Sequence, residues 1–363
     1  MNNKNEQIHV MLVDDSAVIR GALKRLLESI SHIKVVESVN DGNVAVNVIE
    51  KTKPHIVILD VEMPIMDGIT ALPQILQKSP HTKVIMFSSL TEKGATVTLD
   101  ALRLGAVECI VKPSSAQDVG PGSAFQKQLI SLIESLVPNH ARRASDNDSL
   151  LTPASTVVTK PPFSLHKDPF TYKGDPKVVA IGSSTGGPQA LFDVLKHCQD
   201  FPVPIAITQH MPATFTTILA QHIKQQTSIE AMEGENGMVV KPGHIYVAPG
   251  DYHMLFEQKN GELVIVLDEG PPVNFCKPAV DPMLNSLLDI YGQKVLSIIL
   301  TGMGHDGLDA CKRLVDEKGR VIAQDEETSV VWGMPGAVAQ ANICSEVLPL
   351  DKIGPWIRSQ VMG

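Results

Sequence analysis

The sequence predicts an α/β protein of two domains, and three observations carry that expectation. Residues 8 to 113 alternate short apolar runs with helical patterns. Residues 138 to 176 lose that rhythm and are rich in Pro, Ser, Thr, Asp and Lys. From Lys177 the alternation resumes, with a hairpin signal set into it. Strand–helix alternation at this spacing indicates parallel sheets covered by helices on both faces. A length of 363 residues also suits two domains, at roughly 100–200 residues each.

The elements follow in order. The runs His9–Val13, Lys34–Val39, His55–Leu59, Lys83–Phe87 and Cys109–Val111 predict five strands of a doubly wound parallel sheet. Amphipathic segments such as Val18–Ile30 and Asp41–Ile49 supply helices between them. The expected first domain is 1–123. A closing helix over Ala124–Val137 and a flexible linker fill 124–176. As a random coil of about 40 residues, the linker's ends would lie on the order of 30 Å apart. The second domain, 177–363, reads as α/β with a mainly parallel sheet. Its strands are Val178–Ser183, Ile205–Gln209, Val295–Leu300 and Val321–Gln324. Tyr252–Gln258 and Leu263–Leu267 flank Asn260–Gly261, the signature of a two-residue antiparallel hairpin.

Composition removes several classes of function. Apolar residues make up 43% and charged residues 20%, as in ordinary globular chains. The net charge is −9 and no basic run or stripe occurs, which argues against binding nucleic acid. The five cysteines are widely spaced, odd in number and form no CxxC pair. That argues against a disulfide framework or a zinc site and for a reducing, cytoplasmic setting. Met1 to Val10 is polar and carries no apolar signal core, and the longest apolar runs are only strand-length. Neither export nor insertion into a membrane is expected.

In the first domain, side chains with chemistry gather at predicted strand ends. Asp14 and Asp15 end the first strand, Asp60 the third and Ser88–Ser89 the fourth; Lys112, followed by Pro113, ends the fifth. Functional groups of open parallel sheets collect at this edge, beside the topological switch point. Crowded carboxylates raise one another's pKa, and a Mg²⁺ ion would relieve the repulsion. One carboxylate could then attack a phosphoryl donor, with the ammonium stabilising the transferred charge. Any one of these aspartates could instead be a turn or cap residue; it is the set that points to chemistry.

On Asp14-Asp15, Asp60, Ser88 and Lys112-Pro113, the first domain resembles the response-regulator receiver family over about 110 residues. The resemblance implies Asp60 as phosphoacceptor. It implies Mg²⁺ ligation by Asp15, Asp60 and the Glu62 carbonyl, with Asp14 acting through water. Ser88 and Lys112 would contact the phosphoryl group. One departure is Cys109, which stands three residues before Lys112 where the family usually has an aromatic.

In the second domain, Gly182-Ser183-Ser184-Thr185-Gly186 lies between a predicted strand and a predicted helix and fits G-x-S-x-G. The glycines permit a tight turn, and the helix N-terminus offers free N–H groups to an oxyanion. Alone, the motif leaves three readings open: an esterase serine, a phosphate loop or a structural turn. G-x-G-x-x-G and a P-loop lysine are both absent. His210 after Ile205–Gln209 and Asp306 after Val295–Leu300 favour the esterase, because the three would share one sheet edge. The chain holds twelve histidines, and most such residues are only surface polar groups. His305 and Asp309 compete for these roles, but His305 abuts Asp306 and Asp309 falls inside the next predicted helix. The order Ser, His, Asp differs from that of α/β-hydrolases.

The runs Ala180–Pro188, Gln209-His210-Met211-Pro212, Val247-Ala248-Pro249-Gly250, Thr301–Gly307 and Gly333-Met334-Pro335 resemble the catalytic domain of the chemotaxis protein-glutamate methylesterases. The resemblance implies Ser184 as nucleophile, His210 as base, Asp306 as its orienting carboxylate, and the N–H groups of Thr185 and Met303 as the oxyanion hole. It implies hydrolysis of glutamyl methyl esters on methyl-accepting chemoreceptors, with possible deamidation of receptor glutamines. A chemotaxis histidine kinase would be the phosphodonor. The expected protein is a monomer whose esterase needs no cofactor. Departures are Ser183, where Ala is common, and Asn274-Phe275-Cys276-Lys277-Pro278, where the stretch is often more basic. The competing expectations are a second domain that only binds, and a transcription factor. All three triad positions are filled, which speaks against the first; no helix-turn-helix or basic face supports the second.

Overall fold

The computed structural model describes residues 7–88, 92–113, 120, 122–137, 163–165 and 176–362, and for 92–95 only the backbone. Ser89 and nearly all of the expected linker lie outside the described residues. The chain divides into two compact units, Met1–Val158 and Thr159–Gly363.

The first unit is a five-stranded sheet of β1 (Ile8–Val13), β2 (Ile33–Val39), β3 (Ile56–Asp60), β4 (Lys83–Ser88) and β5 (Glu108–Val111). The order is β2-β1-β3-β4-β5 and every pairing is parallel. β3 is buried at all five positions, as its unbroken run Ile56-Val57-Ile58-Leu59 requires of a central strand covered on both faces. Helices α1 (Ala17–Glu28), α2 (Gly42–Thr52), α3 (Gly68–Lys78), α4 (Glu92–Arg103) and α5 (Ala124–Leu136) link or cover the strands. Ser16, Asp41, Asp67 and Ser123 each accept a backbone N–H as N-caps, so polar residues start helices where the apolar periodicity begins. α5 buries Leu129, Leu132, Ile133 and Leu136, and Phe125 at its start meets Phe87 of β4. The closing helix thus packs on the first sheet.

The second unit is built on a seven-stranded parallel sheet. Its strands are β6 (Val178–Ser183), β7 (Ile205–Gln209), β8 (Ala231–Glu233), β9 (Ile245–Val247), β12 (Val295–Ile299), β13 (Arg320–Gln324) and β14 (Glu346–Leu348). Their order is β14-β13-β12-β6-β7-β9-β8. From β6 the chain first builds one half of the sheet through β7, then returns to β12 and builds the other. The switch point therefore lies between β6 and β12, where open sheets place their ligands. The helices are α6 (Gly187–Leu195), α7 (Ala213–Thr227), α8 (Val280–Tyr291), α9 (Leu308–Asp316), α10 (Met334–Gln340) and α11 (Leu350–Met362).

β10 (His253–Lys259) and β11 (Glu262–Asp268) form a separate antiparallel hairpin. Asn260 and Gly261 close it with φ of 52° and 86°, the left-handed pair that a type I′ turn demands. The hairpin's inner face, Met254, Phe256 and Ile265, packs into one core with Met283, Leu284 and Leu287 of α8. That packing fixes where α8 begins, which matters for the site below. Among the described residues, no helix is long and apolar enough to cross a membrane.

Candidate functional site

The first unit brings its predicted acidic cluster together. Carboxylate oxygens of Asp14, Asp15 and Asp60 lie within 4.8 Å of one another. Asp14 and Asp60 are buried, at 2% and 1% exposure, while Asp15 faces solvent. Each buried aspartate spends one oxygen on a turn: Asp14 Oδ1 accepts the Ser16 N–H at 2.8 Å, and Asp60 Oδ1 accepts the Glu62 N–H at 3.2 Å. The other oxygens face Lys112, whose Nζ lies 3.0 Å from Asp14 Oδ2 and 2.6 Å from Asp60 Oδ2. These ion pairs are close, yet both oxygens lack a well-aligned hydrogen-bond donor. Burial pushes Asp60 up to about 6, and Asp14 adds to the rise while Lys112 opposes it. An all-oxygen donor set, two carboxylates buried and one exposed, with surplus negative charge fits a hard divalent cation. Ser88 is buried at the end of β4, and its carbonyl accepts the Lys112 N–H at 2.7 Å, which ties the two expected phosphoryl contacts to adjacent strand ends. Glu62 is exposed in the loop after β3.

In the second unit, β6, β7 and β12 run parallel and end side by side. Ser184 follows β6, His210 follows β7, and Asp306 sits in the loop after β12. Asp306 is 2% exposed and its Oδ2 lies 2.8 Å from His210 Nε2. Asp306 is also bound by the α8 terminus: Val280 N–H donates to Oδ2 at 2.6 Å and Asp281 N–H to Oδ1 at 3.3 Å. A helix N-terminus without its own side-chain cap is thus capped by a carboxylate from another loop. Burial alone would raise Asp306, but the His210 bond and these N–H groups hold it below the ordinary carboxylate value. Burial disfavours charge on His210, yet Asp306 and Cys276 keep its pKa up at about 9. His305 is exposed, and Asp309 pairs with Lys312 on the outer side of α9.

Ser184 is half-buried at the turn into α6. Its backbone is clamped: its N–H donates to Thr301 O at 3.0 Å, and its carbonyl accepts from Gly187 N at 2.7 Å and Gln209 Nε2 at 2.9 Å. The loop carrying Met303 passes directly against it, since a Cβ on Gly302 would lie 2.8 Å from Ser184 Cβ. Thr185 is buried, and its carbonyl accepts from Thr301 Oγ1 at 2.9 Å. Ser183 points the other way; its buried hydroxyl donates to Gln209 Oε1 at 2.6 Å. The second hydroxyl is therefore part of the support under the turn.

The hydrogen-bond partners of the His210 ring among the described residues are Asp306 and Cys276. Cys276 Sγ lies 3.4 Å from Nδ1, the nitrogen that a serine would need. Asn274 Nδ2 bridges Asp306 Oδ1 at 3.0 Å and Asp281 Oδ2 at 2.9 Å. Sequence reasoning did not find Asn274, Cys276, Asp281 or Gln209 as members of this cluster. Asp281 carried a usable signal, because it is a carboxylate on the buried face of α8 with Leu284 and Leu288. The turn at Asn274–Cys276 stood out only as a departure from a usually basic stretch, and nothing in its sequence placed it beside His210.

Comparison with known proteins agrees with both halves. Residues 10–120 match the response regulator receiver domain family, and residues 179–357 match the CheB methylesterase family. A protein-glutamate methylesterase/protein-glutamine glutaminase from Azospirillum brasilense is 50% identical, over 97% of this chain and 92% of its own length. One from Paramagnetospirillum magneticum is 49% identical, over 97% and 96%. The crystal structure of the Thermotoga maritima CheB methylesterase catalytic domain is 40% identical, with a TM-score of 0.50, over 51% of this chain and 99% of that one. With the receiver and methylesterase domains in this order and such relatives matching nearly end to end, the chain belongs to the family of CheB protein-glutamate methylesterases.

Proposed function

We propose that this chain is a phosphorylation-activated carboxylic ester hydrolase in the adaptation branch of a chemotaxis two-component system. It hydrolyses glutamyl methyl esters on methyl-accepting chemoreceptors to glutamate and methanol. The observation that carries the reading is the His210–Asp306 pair, 2.8 Å apart and mostly buried, at the same sheet edge as the Ser184 turn. The relatives' shared name supports the substrate class and extends it to deamidation of glutamines. An amide carbonyl can follow the same acyl-enzyme route, with ammonia leaving in place of methanol.

Ser184 Oγ attacks the ester carbonyl while His210 takes its proton through Nδ1. Asp306 holds the ring by Nε2 and stabilises the imidazolium. The N–H groups of Thr185 and Met303 receive the oxyanion. His210 returns the proton to the departing methoxide, leaving an acyl-enzyme. It then takes a proton from water, whose oxygen attacks the acyl carbon and restores Ser184. No cofactor takes part in these steps. In the receiver, Asp60 accepts a phosphoryl group from a chemotaxis histidine kinase, with Ser88 and Lys112 contacting it. Mg²⁺, held by Asp15, Asp60 and the Glu62 carbonyl with Asp14 acting through water, would supply positive charge there. Such a protein works in the cytoplasm as a monomer.

The test is methanol release from methylated receptor membranes. Ser184→Ala is expected to lose activity by several orders of magnitude while keeping its circular dichroism spectrum. Near-normal turnover in that variant would remove Ser184 from the mechanism. Loss confined to Ser183→Ala would move the nucleophile by one residue.

A further inference from the structure

His210 has a second neighbour besides Asp306, and it is itself a nucleophile. Cys276 Sγ lies 3.4 Å from Nδ1, while Nε2 is bound to Asp306. Thiol, imidazole and carboxylate thus form one continuous relay through a shared ring. The thiol does not reach this place by chance rotation of a loose loop. Val273 and Cys276 exchange two backbone hydrogen bonds, at 3.0 and 2.9 Å, across Asn274 and Phe275. Both turn residues have positive φ, 51° and 65°, the conformation of a tight reversal. Asn274 is anchored in turn to Asp306 and Asp281. Phe275 projects fully into solvent at the tip, so the turn is open on its outer side.

We propose that Cys276 is a second nucleophile of this site: a thiol that His210 deprotonates and that hydroperoxides oxidise, switching the esterase off until a thiol reductant restores it. The inhibitory half rests on the reading of His210 as the base that serves Ser184. Ser184 and Cys276 compete for the same nitrogen, so a modified Cys276 takes from Ser184 the proton acceptor it needs.

The other four cysteines do not compete for the oxidant. Cys198, Cys311 and Cys344 are buried. Burial pushes the Cys109, Cys198 and Cys311 thiols up to about 12, and raises Cys344 as well. A protonated, shielded thiol reacts slowly, because the thiolate is the nucleophile. Cys276 is half-buried and has a base in contact.

The step balances with hydrogen peroxide. His210 Nδ1 accepts the Cys276 proton, and the thiolate sulfur attacks one peroxide oxygen. An S–O bond forms and the O–O bond breaks. The departing hydroxide takes the proton back from His210 and leaves as water. Cys276 is oxidised from thiol to sulfenic acid and the peroxide is reduced to water. Two equivalents of an added thiol reverse it, giving water and a disulfide of the reductant.

The test uses the full-length protein. Hydrogen peroxide is applied with dimedone, which tags sulfenic acids, and the tagged cysteine is mapped by mass spectrometry. Cys276 is expected to tag at least about tenfold faster in the wild type than in His210→Gln, with the other cysteines untagged. In parallel, without dimedone, methanol release is compared with each protein's own untreated sample. The wild type is expected to lose activity in step with tagging and to recover in dithiothreitol. Cys276→Ser is expected to keep most of its own starting activity. Equal tagging in His210→Gln, or equal loss of activity in Cys276→Ser, would overturn the proposal. Tagging needs no turnover, so an inactive wild type with His210-dependent tagging supports the thiol and sinks the esterase.

Discussion

His210 lies between a carboxylate and a thiol, and this sets the pH at which it can serve as a base. Burial works against its charged form, but Asp306 and Cys276 outweigh burial and hold the pKa at about 9. A general base must be unprotonated to act, so it is the neutral fraction of His210, which grows as pH rises toward about 9, that can take a proton from Ser184 or from Cys276. The expected kcat/KM for methanol release therefore rises about tenfold per pH unit below that value and levels off above it. Spontaneous ester hydrolysis at high pH is subtracted with the Ser184→Ala protein. Cys276→Ala should move the rising limb to lower pH, because the thiol is among the groups that raise the pKa. A profile already flat from pH 6.5 upward would show that His210 is not the base, or that its partners do not act on it as the contacts suggest. The placement of Ser184, His210 and Asp306 could be read from sequence because each follows an apolar run that ends at one sheet edge. The groups that tune them could not. Asn274 and Cys276 arrive on a turn after the hairpin, and the packing of β10 and β11 on α8, with the Asn274 bonds to Asp306 and Asp281, carries that turn to the ring.

Strands and loops show the same division at the next scale. β6, β7, β12 and β13 are each five or six residues long and almost wholly buried, so they stand out as unbroken apolar runs. β8, β9 and β14 have only three residues each, too few to show any period. β8 and β14 are also the two edges of the sheet, where one side of each strand goes unpaired and the apolar pattern weakens. The hairpin was legible because Asn260-Gly261 specifies its turn chemically. The loop after β12 shapes the Ser184 turn through a close approach that no periodicity reports. At Gly302 a Cβ would fall 2.5 Å from Met334 Sδ, 2.8 Å from Ser184 Cβ and 3.0 Å from Ser184 N. Methionine can yield, but the clamped Ser184 backbone cannot without moving the hydroxyl. Gly302→Ala is expected to cut methanol release by about 100-fold, since a misplacement near 1 Å can cost that much, while the protein stays folded. Activity within twofold of wild type would mean that the Met303 loop does not set the Ser184 position.

At the scale of the molecule, the phosphoryl chemistry and the ester chemistry belong to different compact units, each with its own sheet. Asp60 and Ser184 sit at the switch points of two separate sheets, and among the described residues no strand belongs to both. The expectation is control through association of the units, which would be a matter of populations rather than of rigid transmission. If the unphosphorylated receiver limits access to Ser184, a coupling of about 1–3 kcal/mol changes activity roughly 5–150-fold. Acetyl phosphate with Mg²⁺ is therefore expected to raise methanol release by the full-length chain within that range. Asp60→Asn should keep the basal rate and lose the increase, since the amide preserves shape but cannot accept the phosphoryl group. Deleting residues 1 to about 150 separates two ways of achieving this. Restraint by the receiver predicts that the remaining unit is faster than the unphosphorylated full-length protein at equal concentration. A truncated unit that is no faster would exclude restraint. The receiver would then have to activate directly, for instance by ordering the catalytic loops.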